Sequence, residues 1–379
     1  MQQAGVVVLK LRFVAISFLS FLVAFDGGAP ASGGTPVLGG GTATACANPT
    51  GGYEGFGRDT TGGAGKPVYR VINLNNSGPG SLRDAVSAGN RCVVFDVAGT
   101  ISLTSFLKVG GANITIDGFT APSPGINLTG WGFAWHGPPH GAVANIVARG
   151  IRVRGTVTPE SLGADGFQIS NVNNFVIDHV SIDQWGDGSI DIADGSSNGT
   201  IQWSIVGRGK GASPKSVLVK YETRRISIHH NLLMNSLDRN PYVAWSDKAN
   251  EKSTEIVADI RNNLVWNYGW TGISVRHNAW ANVVNNYCFS TAAPTADAAL
   301  YIREGGVAYA SGNFSPSGIN IDAKGNRATP FPAILPALFT DAITAAHQIV
   351  AQAGARGPNF GLDSADLNYI GQILPALPR

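Results

Sequence analysis

Charged side chains are scarce in this sequence. They make up 14% of its 379 residues, and the formal net charge is only +2. A nucleic-acid-binding domain usually carries a stronger basic excess, so we expect no nucleic-acid partner. The low charge does not indicate disorder, because 44% of the residues are apolar. With 49 glycines, the composition favours a β-rich chain with many tight turns.

Cysteine is also rare, with only Cys46, Cys92 and Cys288. No CxxC motif or Cys/His cluster is present, which argues against a zinc site. In an exported protein, three cysteines allow one disulfide and leave one thiol. Cys46 with Cys92 is a candidate pair, but spacing alone cannot establish the connectivity.

The sequence has no apolar run long enough for a permanent membrane anchor. Its longest N-terminal run covers residues 13–25, whereas a membrane-spanning helix needs about 20 residues. Lys10 and Arg12 precede this run and small residues follow it, which is the order of a signal peptide. We therefore predict secretion, to the periplasm or the extracellular space, without stable membrane insertion.

The predicted signal peptide sets the first boundary in the predicted domain organisation. The cleavage site stays undecided between two segments of small residues, 29–31 and 43–45. The stretch up to residue 50 is rich in Gly, Thr and Pro, which is typical of a flexible segment. The predicted parts are a signal peptide over 1–31, a flexible lead-in over 32–50, and one domain over 51–379.

The middle of the sequence contains many short predicted strands. Each is rich in β-branched residues and is bounded by Asn, Gly or Ser. No long helical pattern separates them, which argues against a sheet built from alternating strands and helices. The segments with this pattern are 92–97, 113–117, 175–182, 200–205, 225–231 and 281–286.

These strands recur at loose intervals. Aligning Ile177, Ile201, Ile228 and Ile260 gives steps of 24, 27 and 32 residues. Repetition with variable loops is typical of a solenoid in which one coil is one repeat. We predict an all-β fold, a single-stranded right-handed parallel β-helix, with a β-sandwich as the alternative.

The C-terminal region has a different pattern. Asp341 is a plausible N-cap, and residues 342–353 carry apolar side chains at helical spacing. We predict a helical segment that packs on the β-helix or caps its open end, where an exposed edge would favour aggregation.

Charge is arranged in two successive blocks. No Lys or Arg occurs between Arg154 and Arg208, and a basic block follows directly. In a stacked solenoid, these blocks place an acidic patch beside a basic one, an arrangement that suits an anionic substrate held through a cation. The acidic block holds Glu160, Asp165, Asp178, Asp183, Asp187, Asp191 and Asp194, and the basic block holds Arg208, Lys210, Lys215, Lys220, Arg224, Arg225 and then Arg239.

Asp187 and Asp191 are the strongest metal-ligand candidates. Residues four apart on a strand point to the same face, where two carboxylates repel each other unless a cation neutralises them. Calcium is suited to this because it takes six to eight oxygen ligands in flexible geometry. Asp165, one coil earlier, can add a third carboxylate. Solvated surface aspartates remain the alternative, and no EF-hand spacing is present.

Arg239 is the candidate for contact with an anionic substrate. It lies in the segment 238–241, on a predicted loop that follows a strand. A guanidinium there can grip a carboxylate through two hydrogen bonds. An ordinary surface arginine is the alternative.

Several motifs, found together and in order, resemble the bacterial pectate lyases of polysaccharide lyase family 1. The resemblance covers roughly residues 50–375. The motifs are 54–63, 68–71, 78–84, 95–100, 114–118, 176–179 and 353–355.

The resemblance implies a role for each candidate residue. Asp165, Asp187 and Asp191 match calcium-binding aspartates. Lys215 matches a substrate-binding lysine, and Arg239 matches the catalytic base. The family often has a second arginine five residues after the first, but Ala244 occupies that position here. The matches are closest for Asp187, Asp191 and Arg239.

The function implied by the resemblance is calcium-assisted β-elimination on polygalacturonate by a monomeric secreted enzyme. Calcium would bridge the aspartates and the substrate carboxylate and stabilise the developing anion. Arginine is an unusual base because a guanidinium holds its proton tightly. Three alternatives remain: a pectin lyase acting on methylesterified polymer, a polygalacturonase that hydrolyses the polymer, and a non-catalytic carbohydrate-binding solenoid. The Asp187–Asp191 pair disfavours the first, and the absence of hydrolase motifs disfavours the second.

Overall fold

A computed structural model describes the chain at residues 45–156, 163–207, 209, 214–291, 298–316, 318, 321–323 and 325–378. The predicted signal peptide, most of the predicted lead-in, Glu160, Arg208 and Lys210 lie outside these residues.

Strands, numbered in chain order, form three parallel sheets. Sheet A contains β1 (Val68–Val71), β2 (Arg91–Phe95), β5 (Ile114–Asp117), β8 (Ile146–Arg149), β11 (Asn173–Asp178), β14 (Ser197–Gln202), β17 (Arg224–His229), β20 (Ala258–Arg261), β23 (Trp280–Val284) and β26 (Val307–Ser311). Sheet B contains β3 (Gly99–Leu103), β6 (Ile126–Gly130), β9 (Ile151–Gly155), β12 (Ser181–Asp183), β15 (Ile205–Val206), β18 (Leu232–Met234), β21 (Leu264–Trp266) and β24 (Tyr287–Phe289). Sheet C contains β4 (Leu107–Lys108), β7 (Phe133–His136), β10 (Phe167–Ser170), β13 (Ile190–Ala193), β16 (Val217–Val219), β19 (Tyr242–Ala244), β22 (Thr271–Arg276), β25 (Ala298–Ile302) and β27 (Ile321–Ala323).

From β2 to β26, the chain visits sheets A, B and C in turn and then begins the next coil, and the strand after β26 is β27 of sheet C. Each strand pairs in parallel with the strand one coil away, so the fold is the predicted parallel β-helix. The predicted repeat is confirmed at the residue level. Ile177 pairs with Ile201, Ile201 with Ile228, and Ile228 with Ile260.

Inward-facing residues of all three sheets form one apolar core. Equivalent residues of successive coils stack on each other. On sheet C, the rings of Phe133 and Phe167 stack with centroids 4.8 Å apart, in register with Ile190. Because side chains alternate along a strand, the residues between these core positions face outward.

Asparagine side chains stack in the turns from sheet A to sheet B. The amide of Asn231 donates to Oδ1 of Asn263 at 3.1 Å, and the amide of Asn263 donates to Oδ1 of Asn286 at 3.0 Å. All three residues are buried, so these bonds satisfy polar groups that would otherwise be costly to bury. They also hold successive coils in one register.

The α-helices of the described residues are α1 (Leu82–Ala85), α2 (Ala342–Gln352) and α3 (Ser364–Ile373). The predicted C-terminal helix is confirmed as α2, and Oδ1 of Asp341 accepts the backbone N–H groups of Ile343 and Thr344. Apolar residues of α2 pack on outward residues of sheet B, among them Leu232 and Leu264. The helix therefore covers the side of the β-helix.

Cys46 and Cys92 form a disulfide, while Cys288 is a buried thiol. This is the candidate pairing that spacing alone left open. Among the helices of the described residues, none has the length and apolar content to cross a bilayer.

Candidate active site

Asp191 projects from the outer face of sheet C. It is the second residue of β13, and its neighbours Ile190 and Ile192 belong to the core. Alternation along the strand therefore points Asp191 outward. In the adjoining coils it pairs with Gln168 of β10 and Leu218 of β16.

Asp165 lies one coil earlier, in the loop before β10, with only 3% of its surface exposed. Its Oδ1 accepts the backbone N–H of Gly188 at 2.6 Å. Its Oδ2 accepts a hydrogen bond from the Gln168 amide at 3.2 Å. These bonds fix the carboxylate beside the strand that carries Asp191.

Gly188 allows the two carboxylates to approach each other. A β-carbon at this position would lie 2.9 Å from Oδ1 of Asp165 and 2.9 Å from Oδ1 of Asp191. Real β-carbons do not approach other atoms so closely. The absent side chain thus leaves a small space that both oxygens border.

Both carboxyl groups bind protons more tightly than ordinary aspartates. Burial, reinforced by the negative charge of Asp191, raises the pKa of Asp165 to about 8. Burial raises the pKa of Asp191 to about 6, although the positive charge of Arg239 opposes the change. A cation placed between the carboxylates would relieve the repulsion that contributes to these shifts.

Asp187 lies in the loop before β13, because the strand begins only at Ile190. The strand predicted to carry both aspartates is therefore shorter than expected. Asp187 is nevertheless close enough to raise the pKa of Asp191. Its Oδ1 accepts a hydrogen bond from Nζ of Lys215 at 2.7 Å. Both side chains are largely shielded from solvent.

Arg239 approaches the aspartates from two coils beyond β13. Its Nη1 lies 3.7 Å from Oδ1 of Asp191. The carbonyl of Arg239 accepts the N–H of Val217 at 2.7 Å, and its own N–H donates to Oδ1 of Asp238 at 2.7 Å. Its φ of 62° lies in the left-handed region that few non-glycine residues adopt. The neighbouring Lys215 forms a parallel bridge with Asp238.

A divalent cation fits the chemistry of this donor set. Oδ1 of Asp191 is buried and accepts no hydrogen bond from the described residues, and Oδ1 of Asp165 borders the same space. Carboxylate oxygens are the ligands that calcium prefers. No group of three or more His, Cys, Asp and Glu side chains gathers as a metal cluster within the described ranges. Asp165 and Asp191 share the space beside Gly188, while Asp187 is engaged by Lys215.

The other described aspartates of the acidic block do not join the site. Asp183 is buried and pairs with Arg154 at 3.2 Å, and Asp178 binds Nδ1 of His179 at 2.6 Å. Asp194 accepts the hydroxyl of Ser170 at 2.7 Å. The basic block also divides, because Arg225 pairs with Glu255. Among the described residues, the members of each block are thus divided between this site and other parts of the β-helix.

Sequence reasoning missed Gln168 and Gly188, which position Asp165. The signal that could have revealed Gln168 is the spacing between coils, since Phe167 pairs with Ile190 and therefore Gln168 pairs with Asp191. Ala244, where the resemblance leads one to expect a second arginine, is fully buried in β19. Its partner in the next coil is Arg276.

Curated sequences similar to this chain include fungal proteins. The "Probable pectate lyase C" of Neosartorya fischeri is 36% identical over 244 residues, which cover 63% of this chain and 53% of the relative. The protein of the same name from Aspergillus terreus is 35% identical over 244 residues, with 63% of this chain and 54% of the relative covered. The chain is similar in sequence to these probable pectate lyases.

The chain spans about half the length of these curated relatives. These relatives are fungal, so they do not support the expectation that the chain resembles bacterial pectate lyases in particular. No protein-family model matches the chain.

Solved structures share the fold of this chain. A pectate lyase from Bacillus sp. N165 in complex with trigalacturonate superposes with a TM-score of 0.59 at 19% identity, covering 80% of this chain and 98% of that chain. Pectate lyase II from Xanthomonas campestris gives a TM-score of 0.54 at 17% identity, covering 82% of this chain and 100% of that chain. At these identities the likeness concerns the fold alone.

Proposed function

We propose that this chain cleaves the α-1,4 linkages of polygalacturonate by calcium-assisted β-elimination and releases 4,5-unsaturated products. The observation that carries the proposal is the 3.7 Å approach of Arg239 to Asp191, beside a second carboxylate, that of the buried Asp165. A cationic side chain and a cation-binding pair thus lie together on the outer face of a β-helix. The Bacillus sp. neighbour is described as a complex with trigalacturonate, which is consistent with this substrate class.

Lys215 and Arg239 are the residues suited to binding the substrate. Each galacturonate unit carries a carboxylate, which an ammonium or a guanidinium can hold through charge-assisted hydrogen bonds. Asp187 holds the Lys215 ammonium at 2.7 Å and thereby orients it. The cationic pair would place the substrate against the Asp165–Asp191 carboxylates.

Arg239 is the residue placed to accept the C5 proton. In the reaction, the C5–H bond breaks, its electron pair forms the C4–C5 double bond, and the C4–O bond breaks. The leaving glycosidic oxygen gains a proton and becomes a hydroxyl group, so no water is consumed. The step requires the guanidinium to be in its neutral form before it accepts the proton.

Asp165 and Asp191, with Asp187 as the third predicted ligand, would hold calcium. When bound, calcium neutralises the substrate carboxylate and withdraws charge from C5, which makes the C5 proton more acidic. The orphaned oxygen of Asp191 and the space beside Gly188 support this assignment.

We also propose that the protein is exported and acts as a monomer. The basic, apolar and small-residue order of its N-terminus supports export. The Cys46–Cys92 disulfide is consistent with an oxidising compartment.

The decisive experiment follows ultraviolet absorbance during incubation with polygalacturonate and, separately, with methylesterified pectin. Each substrate is tested with calcium and with a chelator. The proposal predicts a rise in absorbance on polygalacturonate that the chelator abolishes. Chelator-resistant absorbance on methylesterified pectin would identify a pectin lyase. Reducing ends without absorbance would identify a hydrolase, and binding without either product would identify a non-catalytic solenoid.

A further inference from the structure

Trp270 is the exposed tryptophan of this protein. Half of its surface, 50%, is open to solvent, whereas the other seven tryptophans are buried or half-buried. Single exposed apolar residues are common on protein surfaces, so exposure alone assigns no role. The position of Trp270 relative to Arg239 is what gives it one.

Trp270 and the next residue, Thr271, form hydrogen bonds with the segment that carries Arg239. The N–H of Trp270 donates to the carbonyl of Leu237 at 2.6 Å. The hydroxyl of the next residue, Thr271, donates to Oδ1 of Asp238 at 2.7 Å. That same Oδ1 accepts the N–H of Arg239 at 2.7 Å. The backbone of Trp270 is therefore fixed relative to that of Arg239.

The strand register places Trp270 one coil beyond Asp238. Tyr242 pairs with Ser274, and Asp238 and Trp270 each precede their member of this pair by four residues. Trp270 directly precedes β22, and half of its surface is exposed. Adjacent strands lie about 4.8 Å apart, which is similar to the length of one pyranose unit in a polysaccharide.

We propose that Trp270 is a stacking platform for a galacturonate ring of the polymer, one coil beyond Arg239. This inference rests on the proposed function and extends the binding surface from Asp165 and Asp191 past Lys215 and Arg239. The apolar C–H face of a sugar ring packs on an indole, while the ring's carboxylate stays in water or meets a cation. Such a contact adds affinity for chains long enough to reach the indole and leaves the proton-transfer step unchanged.

Another cationic side chain lies farther along the outer face of sheet C. Arg276, at the end of the strand that Trp270 precedes, lies over the ring of Tyr242 at 5.4 Å. Its Nε donates to Oε2 of Glu304 at 3.0 Å, and its side chain is 27% exposed. The outer face of sheet C thus offers aromatic and guanidinium groups beyond Arg239.

The kinetic test compares Trp270→Ala and Trp270→Phe with the unaltered protein on polygalacturonate and on trigalacturonate. For Trp270→Ala we expect KM on the polymer to rise about fivefold, because one aromatic contact is lost. The kcat should be nearly unchanged. Trp270→Phe keeps a ring and should restore most of the affinity. Leu367→Ala, which alters an exposed apolar residue of α3, is the control and should leave KM unchanged. An equal rise in KM for trimer and polymer, or no rise for either, would overturn the platform role.

A binding measurement separates this inference from the proposed function. Iodide quenches exposed indoles, so Trp270 should dominate the quenching of the unaltered protein, and hexagalacturonate should protect it. Protection without any rise in absorbance would support the platform and contradict the lyase proposal. Normal elimination without protection, together with an unchanged KM in Trp270→Ala, would overturn the platform and leave the lyase proposal intact.

Discussion

The guanidinium of Arg239 lies 3.7 Å from the Oδ1 atom of Asp191, although 48 residues and two coils of the β-helix separate them. The carbonyl of Arg239 accepts a hydrogen bond from the N–H of Val217, which lies in the coil between Asp191 and Arg239. The side chain therefore reaches back over one complete coil. This approach brings the proposed base to the proposed metal ligand.

Replacing Arg239 by lysine tests its role as the base. Lys keeps a positive charge but loses the planar fork of the guanidinium. We expect kcat on polygalacturonate to fall by about 100-fold or more, the usual contribution of a positioned acid or base. KM should change little because a cation remains. Absorbance kinetics measure both quantities.

Arg58→Lys provides the matched control, because the Arg58 side chain is exposed and distant in sequence from the site. Its kcat should equal that of the unaltered protein. A fully active Arg239→Lys variant would show that Arg239 does not transfer the proton.

Gly188→Ala tests the space between the two carboxylates. The added methyl group would lie 2.9 Å from Oδ1 of both Asp165 and Asp191, so at least one carboxylate must move. We expect calcium affinity to fall by about tenfold or more, because the ligand oxygens can no longer converge. Titration calorimetry on chelator-treated protein measures the affinity, and thermal melts with and without calcium provide an independent readout.

Gly361→Ala is the control for the added methyl group, since open space surrounds that position. It should leave calcium affinity unchanged. Undiminished affinity in Gly188→Ala would place the calcium site elsewhere.

Lys215→Gln tests the assignment of Lys215 to substrate binding. The change removes the charge and releases Asp187, which Lys215 now contacts at 2.7 Å. We expect KM for polygalacturonate to rise about tenfold, because a hydrogen bond to a charged group contributes about 1.5–3 kcal/mol. Calcium affinity should not fall, since the freed carboxylate adds negative charge to the site. Lys66→Gln, at an exposed position, is the control, and an unchanged KM in Lys215→Gln would contradict the assignment.

The regular part of the fold follows from short-range patterns. The isoleucines that recur in the sequence, from Ile177 to Ile260, are register partners in successive coils, because each coil must place one apolar residue at the same point of the core. The helix α2 was likewise visible from its N-cap, Asp341, and its apolar spacing. Both features depend on residues close in sequence or on a repeated pattern.

The assembly of the candidate site is less visible in the sequence. The approach of Asp165 to Asp191 depends on a coil-to-coil register that variable loops conceal, and on the missing side chain of Gly188. The sequence of the acidic block also does not reveal which of its aspartates form ion pairs outside the candidate site. Asp183 pairs with Arg154, and Arg154 also binds Asp366 of α3, a contact across more than 200 residues.

Acid sensitivity is expected from two buried histidines, His229 at the end of β17 and His230 in the turn that follows it. Burial lowers the pKa of His230 to about 4, and His229 also has a strongly lowered pKa because of burial and the charge of His230. Their Nδ1 atoms lie 3.0 Å apart, and His230 stacks on Trp203.

A lowered histidine pKa means that the unfolded chain binds more protons than the folded protein between about pH 4 and pH 6.5. The free energy of unfolding should therefore be fully retained above pH 6.5 and fall as the pH drops towards 4. The decrease from His230 alone is about 3 kcal/mol. His230→Asn, which suits the left-handed backbone at φ 55°, should flatten this pH dependence even if it lowers stability at pH 7. Urea unfolding at pH 4.5 and pH 7 measures the difference, with His140→Asn at an exposed position as the control. A pH dependence in His230→Asn as steep as that of the unaltered protein would show that other groups cause the acid sensitivity.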